Sequence, residues 1–453
     1  MKKVYLPFII LIIISIAALF IADTNTIPAA NTTKIDTADT AWLLTASALV
    51  LLMTPGLAFF YGGLVDNKNV ISTMLQSIIA MGVVSIVWVI LGFSLAFGDS
   101  MGGIIGNPTT FFMFRNTLNA PPWSLAPTIP LLLYACFQLK FAIITPALIT
   151  GAFADRIKFT SYILFIVLFT VFIYAPLAHW TWHPNGFLLK LGVIDFAGGS
   201  VVHVSAGAAA LAAAWYLKAH TPRHERQPHA PANIPYIIIG TGLLWFGWFG
   251  FNAGSAFGAN LTSVLAFANT NTAAAASALA WIFFDVTKGK KVTAVGACIG
   301  IVVGLVAITP AAGFVGVPTS IFIGTFTSVF CNWFLSLFSK TNLDDTLDVF
   351  PCHGVGGMVG MLLTGIFASH QINETIPDGL FFGNYTLLIK QLIGLVIVFA
   401  FVFFASLLLL KIVDLIHPLR VTAAQAAEGL DISQHGESVS RSKMKELTAL
   451  QNQ

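Results

Sequence analysis

Two short stretches decide how this chain is read: Asp195-Phe-Ala-Gly-Gly-Ser-Val-Val-His203-Val-Ser-Ala-Gly207 and Asp348-Val-Phe-Pro-Cys-His353-Gly-Val-Gly-Gly357. Each puts an aspartate a few residues before a histidine, and each histidine enters an apolar run rich in small residues. An imidazole inside such a run is costly to bury in lipid and usually functional. The spacing between the two stretches carries the fold argument.

Around them the chain has 453 residues, 57% hydrophobic and 9% charged. A soluble domain carries about 25% charged residues, so this chain has too few to cover a soluble surface. Mean hydropathy is +0.85. In lipid the backbone must pair internally, which leaves helices or closed barrels. The apolar runs are continuous and do not alternate every second residue, so the fold class is all-α integral membrane. A net charge of +3 is too small to suggest nucleic acid. Cys136, Cys298, Cys331 and Cys352 lie in or beside apolar runs without disulfide or zinc spacing, so neither a disulfide nor a metal site is expected.

Lys2 and Lys3 precede an apolar run from Val4 to Ile21, and polar residues follow. That layout reads as a cleavable signal peptide over residues 1–30, ending at Ala22 or Ala30, in preference to a first span. Eleven spans follow, near 42–64, 70–97, 128–151, 160–180, 198–217, 235–257, 262–284, 292–309, 314–338, 353–369 and 388–413, the tenth the shortest. They make an eleven-span membrane domain over 41–415 and leave a tail over 416–453.

Loop charge gives the orientation. Alternate loops and the tail hold Lys68, Arg156, Lys158, Lys218, Arg223, Arg226, Lys288, Lys290, Lys291, Lys340, Lys411, Arg420, Arg441, Lys443 and Lys445; the opposite loops hold only Lys34, Arg115, Lys190 and Lys390. The rich side is cytoplasmic, so the N-terminus is outside and the C-terminus inside.

His203 heads the fifth span and His353 the tenth. Five is odd, so the two helices enter from opposite faces, as an inverted repeat of five plus five with one span left over requires. Such repeats build their site at the interface near the midplane. His203 and His353 are therefore expected to meet there. Gly199, Gly207, Gly356 and Gly360 flank them and allow close helix packing.

Asp195 is two turns before His203. It could face a permeant cation, but the reading favours a cap on the helix start. Asp348, with Pro351 in the first turn after it, reads as an N-terminal cap. Phe137 and Phe141 share a face of the third span, and Trp245, Phe246, Trp248, Phe249 and Phe251 precede Asn252-Ala-Gly-Ser255 in the sixth. Most aromatics here serve packing, yet an aromatic face can replace part of a cation's hydration.

With these residues in view, the chain resembles the ammonium transporter family, which includes the Rh glycoproteins. The resemblance rests on residues 38–65 (ADTAWLLTASALVLLMTPGLAFFYGGLV), 137–142 (FQLKFA), 151–159 (GAFADRIKF), 195–207, 248–260 (WFGFNAGSAFGAN), 348–360 (DVFPCHGVGGMVG) and 419–438 (LRVTAAQAAEGLDISQHGES), in order. It covers about Asp39 to Ser438.

The resemblance implies a homotrimer of independent eleven-helix pores in a bacterial cytoplasmic membrane, without cofactor or enzymatic activity. It implies that Phe141 and Phe251 close the outer mouth. It implies an outer recruitment site of Trp182, Ser255 and Phe141, supported by Asp195. His203 and His353 would be the twin histidines of a dry pore, lined beside them by Trp248. The tail would couple subunits and dock a PII-type nitrogen regulatory protein. The expected transport is ammonia through the pore with a separately relayed proton.

Three positions depart from the family pattern. Lys140 stands next to Phe141 where an uncharged residue is usual, His183-Pro184-Asn185-Gly186 replaces a shorter glycine run after Trp182, and Ser200 stands where threonine is commoner. Two other classes compete. A haem enzyme would need more paired histidines than His203 and His353. A sensor would need a fused signalling domain, and the stretch after the last span is under forty residues.

Overall fold

The computed structural model describes residues 6–21, 24–25, 35–218 and 230–440. Among them, nine helices are long and apolar enough to cross a membrane: Thr37–Leu64, Val70–Phe97, Leu131–Phe153, Phe159–Leu191, Gly199–Leu217, Ile234–Gly254, Val317–Phe338, Phe350–Phe367 and Tyr385–Ile416. The two other expected spans fall on helices of different character. Leu261–Thr287 is long enough but carries the polar run Asn269-Thr270-Asn271-Thr272, and Ala294–Ile308 has only 15 residues. The tenth expected span is not the shortest. It begins at Phe350, with Pro351 accommodated in its first turn, which leaves Ala294–Ile308 shorter.

Local chemistry starts these helices. Asp36 accepts from the Ala38 and Asp39 N–H groups, Asn233 from Tyr236, Asn260 from Ser263, and Asn384 from Thr386. Each side chain satisfies a backbone donor that the first helical turn leaves without a partner.

Small residues set how closely the helices pack. The Ile234–Gly254 helix lies along Thr37–Leu64, and a methyl group at Gly240 would stand 2.3 Å from the Phe60 nitrogen. At the centre, the two histidine helices cross. A Cβ on Gly207 would meet Gly354 Cα at 2.2 Å, and one on Gly357 would meet the Gly199 carbonyl at 3.0 Å. Contacts therefore run 199 to 207 on one helix against 357 to 354 on the other, an antiparallel crossing. Both helices begin with a six-residue π-helical turn, Gly199–Val204 and Phe350–Val355, and each turn contains its histidine. Such turns are rare and concentrate at functional sites.

The expected leader contains the helix Leu6–Leu19, whose apolar side chains, such as Phe8 and Ile13, are exposed. The two candidate cleavage positions, Ala22 and Ala30, lie outside the described residues, as do Lys2, Lys3, Lys34, Arg223, Arg226, Arg441, Lys443 and Lys445.

After Ile416 the chain folds back on the loops that carry Lys68, Arg156 and Lys158. Ile157 and Arg420 form a β-bridge. Thr422 and Gln425 form a capping box at the start of the short helix Ala423–Glu428, and Leu430–His435 follows. Arg156 is fully buried here. It pairs with Asp344 at 3.1 Å and donates to the Lys218 carbonyl, tying three segments to one guanidinium.

Candidate functional site

The two π-helical turns bring His203 and His353 face to face. Their Nδ1 atoms are 3.3 Å apart, with the rings inclined at 24°. At that distance one nitrogen carries the hydrogen and the other accepts it. Both imidazoles are almost completely buried. The far nitrogen of His203, Nε2, is buried and has no hydrogen-bond partner among the described residues.

Asp195 holds the start of the His203 helix. One carboxylate oxygen accepts from the Gly198 and Gly199 N–H groups, at 2.8 and 2.7 Å. The other accepts from the Ser200 N–H, the Ser200 hydroxyl and the Val201 N–H, at 2.7, 2.6 and 3.3 Å. The aspartate is thus a cap, as expected. Ser200 supplies the hydroxyl that a threonine would supply, so that departure leaves the cap intact. Gly198, at φ +115°, adopts the left-handed conformation that lets the chain turn from Asp195 into the helix.

At the start of the other helix a second aspartate, Asp345, takes part beside Asp348. The N–H of Phe350 donates to Asp345 Oδ2 at 2.6 Å. Asp348 itself has φ +57°, and its carbonyl accepts from the Cys352 N–H.

Aromatic rings surround the pair. Trp248 stacks on His203 at 5.2 Å and 15°, and its indole N–H is held by the Thr309 hydroxyl at 2.9 Å. Phe251 packs on the same imidazole, and Phe141 on Phe251 at 4.3 Å between centroids. Trp182 meets Phe141 edge-on at 5.9 Å, and its N–H donates to the Asp195 carbonyl at 3.0 Å. The same aspartate therefore fixes the helix start with its carboxylate and Trp182 with its backbone. The Ser255 hydroxyl donates to the Phe251 carbonyl at 2.9 Å, which leaves its lone pairs as acceptors.

Three cavities follow one another along these residues. A vestibule of about 350 Å³ is lined by Phe141, Trp182, Asp195, Ser255, Tyr134, Gln138 and Thr181, among others. A narrow chamber of about 10 Å³ with almost wholly apolar walls lies beyond the Phe141–Phe251 pair and is lined by both histidines and Trp248. A second vestibule of about 200 Å³ shares His353 with that chamber and includes Asp348, Cys352 and Tyr61. Phe141 lines the first vestibule and Phe251 the chamber, so their stacked rings form the partition.

Lys140 lines none of these cavities; it is half-buried one residue around the helix from Phe141. His183 turns aside from the vestibule. It stacks on His179 at 4.3 Å and its Nδ1 accepts from the Asn185 N–H, so the longer loop after Trp182 is self-bonded. The histidines, Trp248, Phe251, Phe141, Trp182, Asp195 and Ser255 are thus brought together. Thr309, Asp345, Gln138 and Thr181 escaped the reading of the sequence. Thr309 alone left a trace there, as a hydroxyl beside Pro310 at the end of an apolar run.

An apolar chamber buried among membrane-length helices, with a wider cavity on either side, defines the class as a multi-pass membrane transporter. The family model described as the Ammonium Transporter Family matches residues 41–440. The ammonium transporter of Bacillus subtilis is 44% identical over 407 residues, spanning 90% of this chain and 99% of that one. The crystal structure of Saccharomyces cerevisiae Mep2 superposes with a TM-score of 0.82 at 37% identity, covering 86% of this chain and 89% of that one. A structure titled Sensor Amt Protein matches with a TM-score of 0.80 at 30% identity, over 88% and 98% of the two chains. The chain belongs to the ammonium transporter family, a family of membrane transporters and not of enzymes.

Proposed function

We propose that this protein carries ammonium across the bacterial cytoplasmic membrane, as ammonia through the pore and a proton relayed beside it. The observation that carries this reading is the 3.3 Å contact between the Nδ1 atoms of His203 and His353 inside an apolar chamber. A bare cation cannot enter such a chamber without a large desolvation cost. Ammonia can, and potassium has no neutral form to offer.

In this reading the Trp182 vestibule faces outside. The cation is recruited among Trp182, Phe141 and Ser255. The aromatic faces replace part of its hydration, and the hydroxyl accepts one of its N–H bonds. Asp195 supports that site by holding Trp182 and the helix start. Phe141 and Phe251 gate the chamber. Ammonia then passes the histidines beside Trp248 while the imidazole pair accepts and passes on a proton, and reprotonation occurs in the Asp348 vestibule. Net charge moves.

The wider architecture belongs to the same proposal: eleven helices in a five-plus-five inverted repeat with one added, N-terminus outside and C-terminus inside, assembled as a homotrimer. Residues 1–30 act as a cleaved leader. The docked tail is the cytoplasmic regulatory element, and it offers a surface to a PII-type regulatory protein. Ammonium jumps on liposomes containing a variant with both His203 and His353 replaced by leucine test the relay. The expected result is loss of current; full, ammonium-selective current from that variant would overturn it.

A further inference from the structure

Two side chains of the Trp182 vestibule have oxygens that the fold leaves unused. Gln138 is 3% exposed and lines this cavity one helical turn from Phe141. Its Nε2 donates to the Tyr134 hydroxyl at 3.2 Å, which fixes the amide, while Oε1 has no hydrogen-bond partner among the described residues. Thr181 is 2% exposed, lines the same cavity beside Trp182, and its Oγ1 likewise has no partner. Buried polar atoms are nearly always hydrogen-bonded, and each exception calls for an explanation. Two exceptions in one cavity, on the residues flanking Phe141 and Trp182, call for a common one.

We infer that Gln138 Oε1 and Thr181 Oγ1 complete the hydrogen-bond shell of the recruited cation, together with Ser255 Oγ. This rests on the recruitment reading above and names its specificity. Ammonium has four N–H donors in a tetrahedral set. Three neutral oxygens take three of them, and a ring face takes the fourth direction. A primary methylammonium fits the same set with its methyl group on the ring. Potassium, which needs more oxygens than three to replace its water, gains less. Neutral acceptors hold the cation without trapping it, because no carboxylate oxygen of Asp195 is spare; all its bonds go to the helix start.

The test uses the full-length protein in liposomes on a solid-supported membrane. It reads the half-saturating ammonium concentration and the maximal current for Gln138→Leu, Thr181→Val, Thr181→Ser and Ser255→Ala, with thermal melting of each solubilised protein. Each of Gln138→Leu and Thr181→Val is expected to raise the half-saturating concentration about tenfold, the size of one hydrogen bond to a charged group. Methylammonium should shift alike. Maximal current should stay within about twofold, since uniform binding is what is lost, and Thr181→Ser should restore the wild-type value. Melting should not fall in Thr181→Val, because an atom without a partner is being removed; in Gln138→Leu it should fall only by the loss of the bond to the Tyr134 hydroxyl.

Unchanged half-saturation in Gln138→Leu and Thr181→Val, with a rise in Ser255→Ala, would overturn the role of the two oxygens and leave recruitment standing. No rise in Ser255→Ala either would overturn both. Lost current together with lowered melting would assign Gln138 and Thr181 a structural role and also overturn the inference. Should Gln138→Leu fail to insert, the Thr181→Val and Thr181→Ser pair decides.

Discussion

His203 and His353 touch through equivalent nitrogens, Nδ1 to Nδ1 at 3.3 Å, from two helices that cross antiparallel. The two facing nitrogens share one hydrogen: a proton taken up at the bare outer nitrogen of one ring, passage of the shared hydrogen to the other ring and loss of the outer proton there leave both rings neutral and reverse which outer nitrogen is bare. That is what a relay needs.

Replacing only His353, with asparagine, tests the pairing. His203 Nδ1 would then lack its imidazole partner in an apolar site, a loss of about 1–3 kcal/mol for a buried polar group. Ammonium current should fall at least about tenfold. A current equal to the wild type would show that the contact between the rings is not used.

Asp195 should matter through its bonds. Its two oxygens accept five hydrogen bonds from residues 198 to 201. Asp195→Ala removes all of them and should lower stability by about 3 kcal/mol or more, since hydrogen bonds to a charged group are individually worth about 1.5–3 kcal/mol. Asp195→Asn keeps one acceptor oxygen and should lie between. Thermal melting of the solubilised variants checks the order.

Helix crossing gives a contrast between two glycines. A methyl group at Gly207 would meet Gly354 Cα at 2.2 Å, whereas one at Gly82 would meet nothing within 4 Å. Gly207→Ala must push the histidine helices apart and should abolish transport or folded yield. Gly82→Ala, inside the Val70–Phe97 helix, should be neutral or stabilise by about 0.5–1 kcal/mol.

The tail should be sensitive to pH. Burial holds His435 below its ordinary value of 6.5, against the opposing pull of Asp431 and Glu437. The docked state therefore prefers the neutral ring, which meets the Ser72 hydroxyl at 3.3 Å and the Phe159 ring at 5.1 Å. Its contribution is present above 6.5 and is lost as pH falls through the lowered value. Burial also raises Asp431 above 3.8, partly offset by its bond from the Ser72 N–H. That contribution is present below 3.8 and lost as pH rises through the raised value. Hydrogen exchange of residues 430–436 should speed up as pH falls from about 7 to about 5.5, after correction for intrinsic rates, and His435→Gln should remove that change.

Much of this was legible in the amino-acid sequence because burial of polarity in lipid leaves few choices. Two histidines in apolar runs had to be functional or paired, and the odd number of spans between them forecast their meeting. Asp195 read correctly as a cap because Gly198 and Gly199 follow it. At the other helix start, Asp345 shares in the capping through its bond from the Phe350 N–H, which spacing alone does not reveal. Gln138 and Thr181 were invisible for another reason. Polar residues in a span usually bond to their own helix, and only coordinates show that Oε1 and Oγ1 do not. The π-helical turns, too, depend on packing around Gly199 and Pro351 and leave no periodic signature.

The central claim is that ammonium moves selectively and carries net charge. Solid-supported-membrane current from purified protein in liposomes, after an ammonium jump and then an equal potassium jump, tests it most directly. The account predicts a current for ammonium alone, lost in the Asp195→Ala variant. No current, with the liposome lumen nonetheless turning alkaline, would mean passage of neutral ammonia and would contradict the proton relay through His203 and His353.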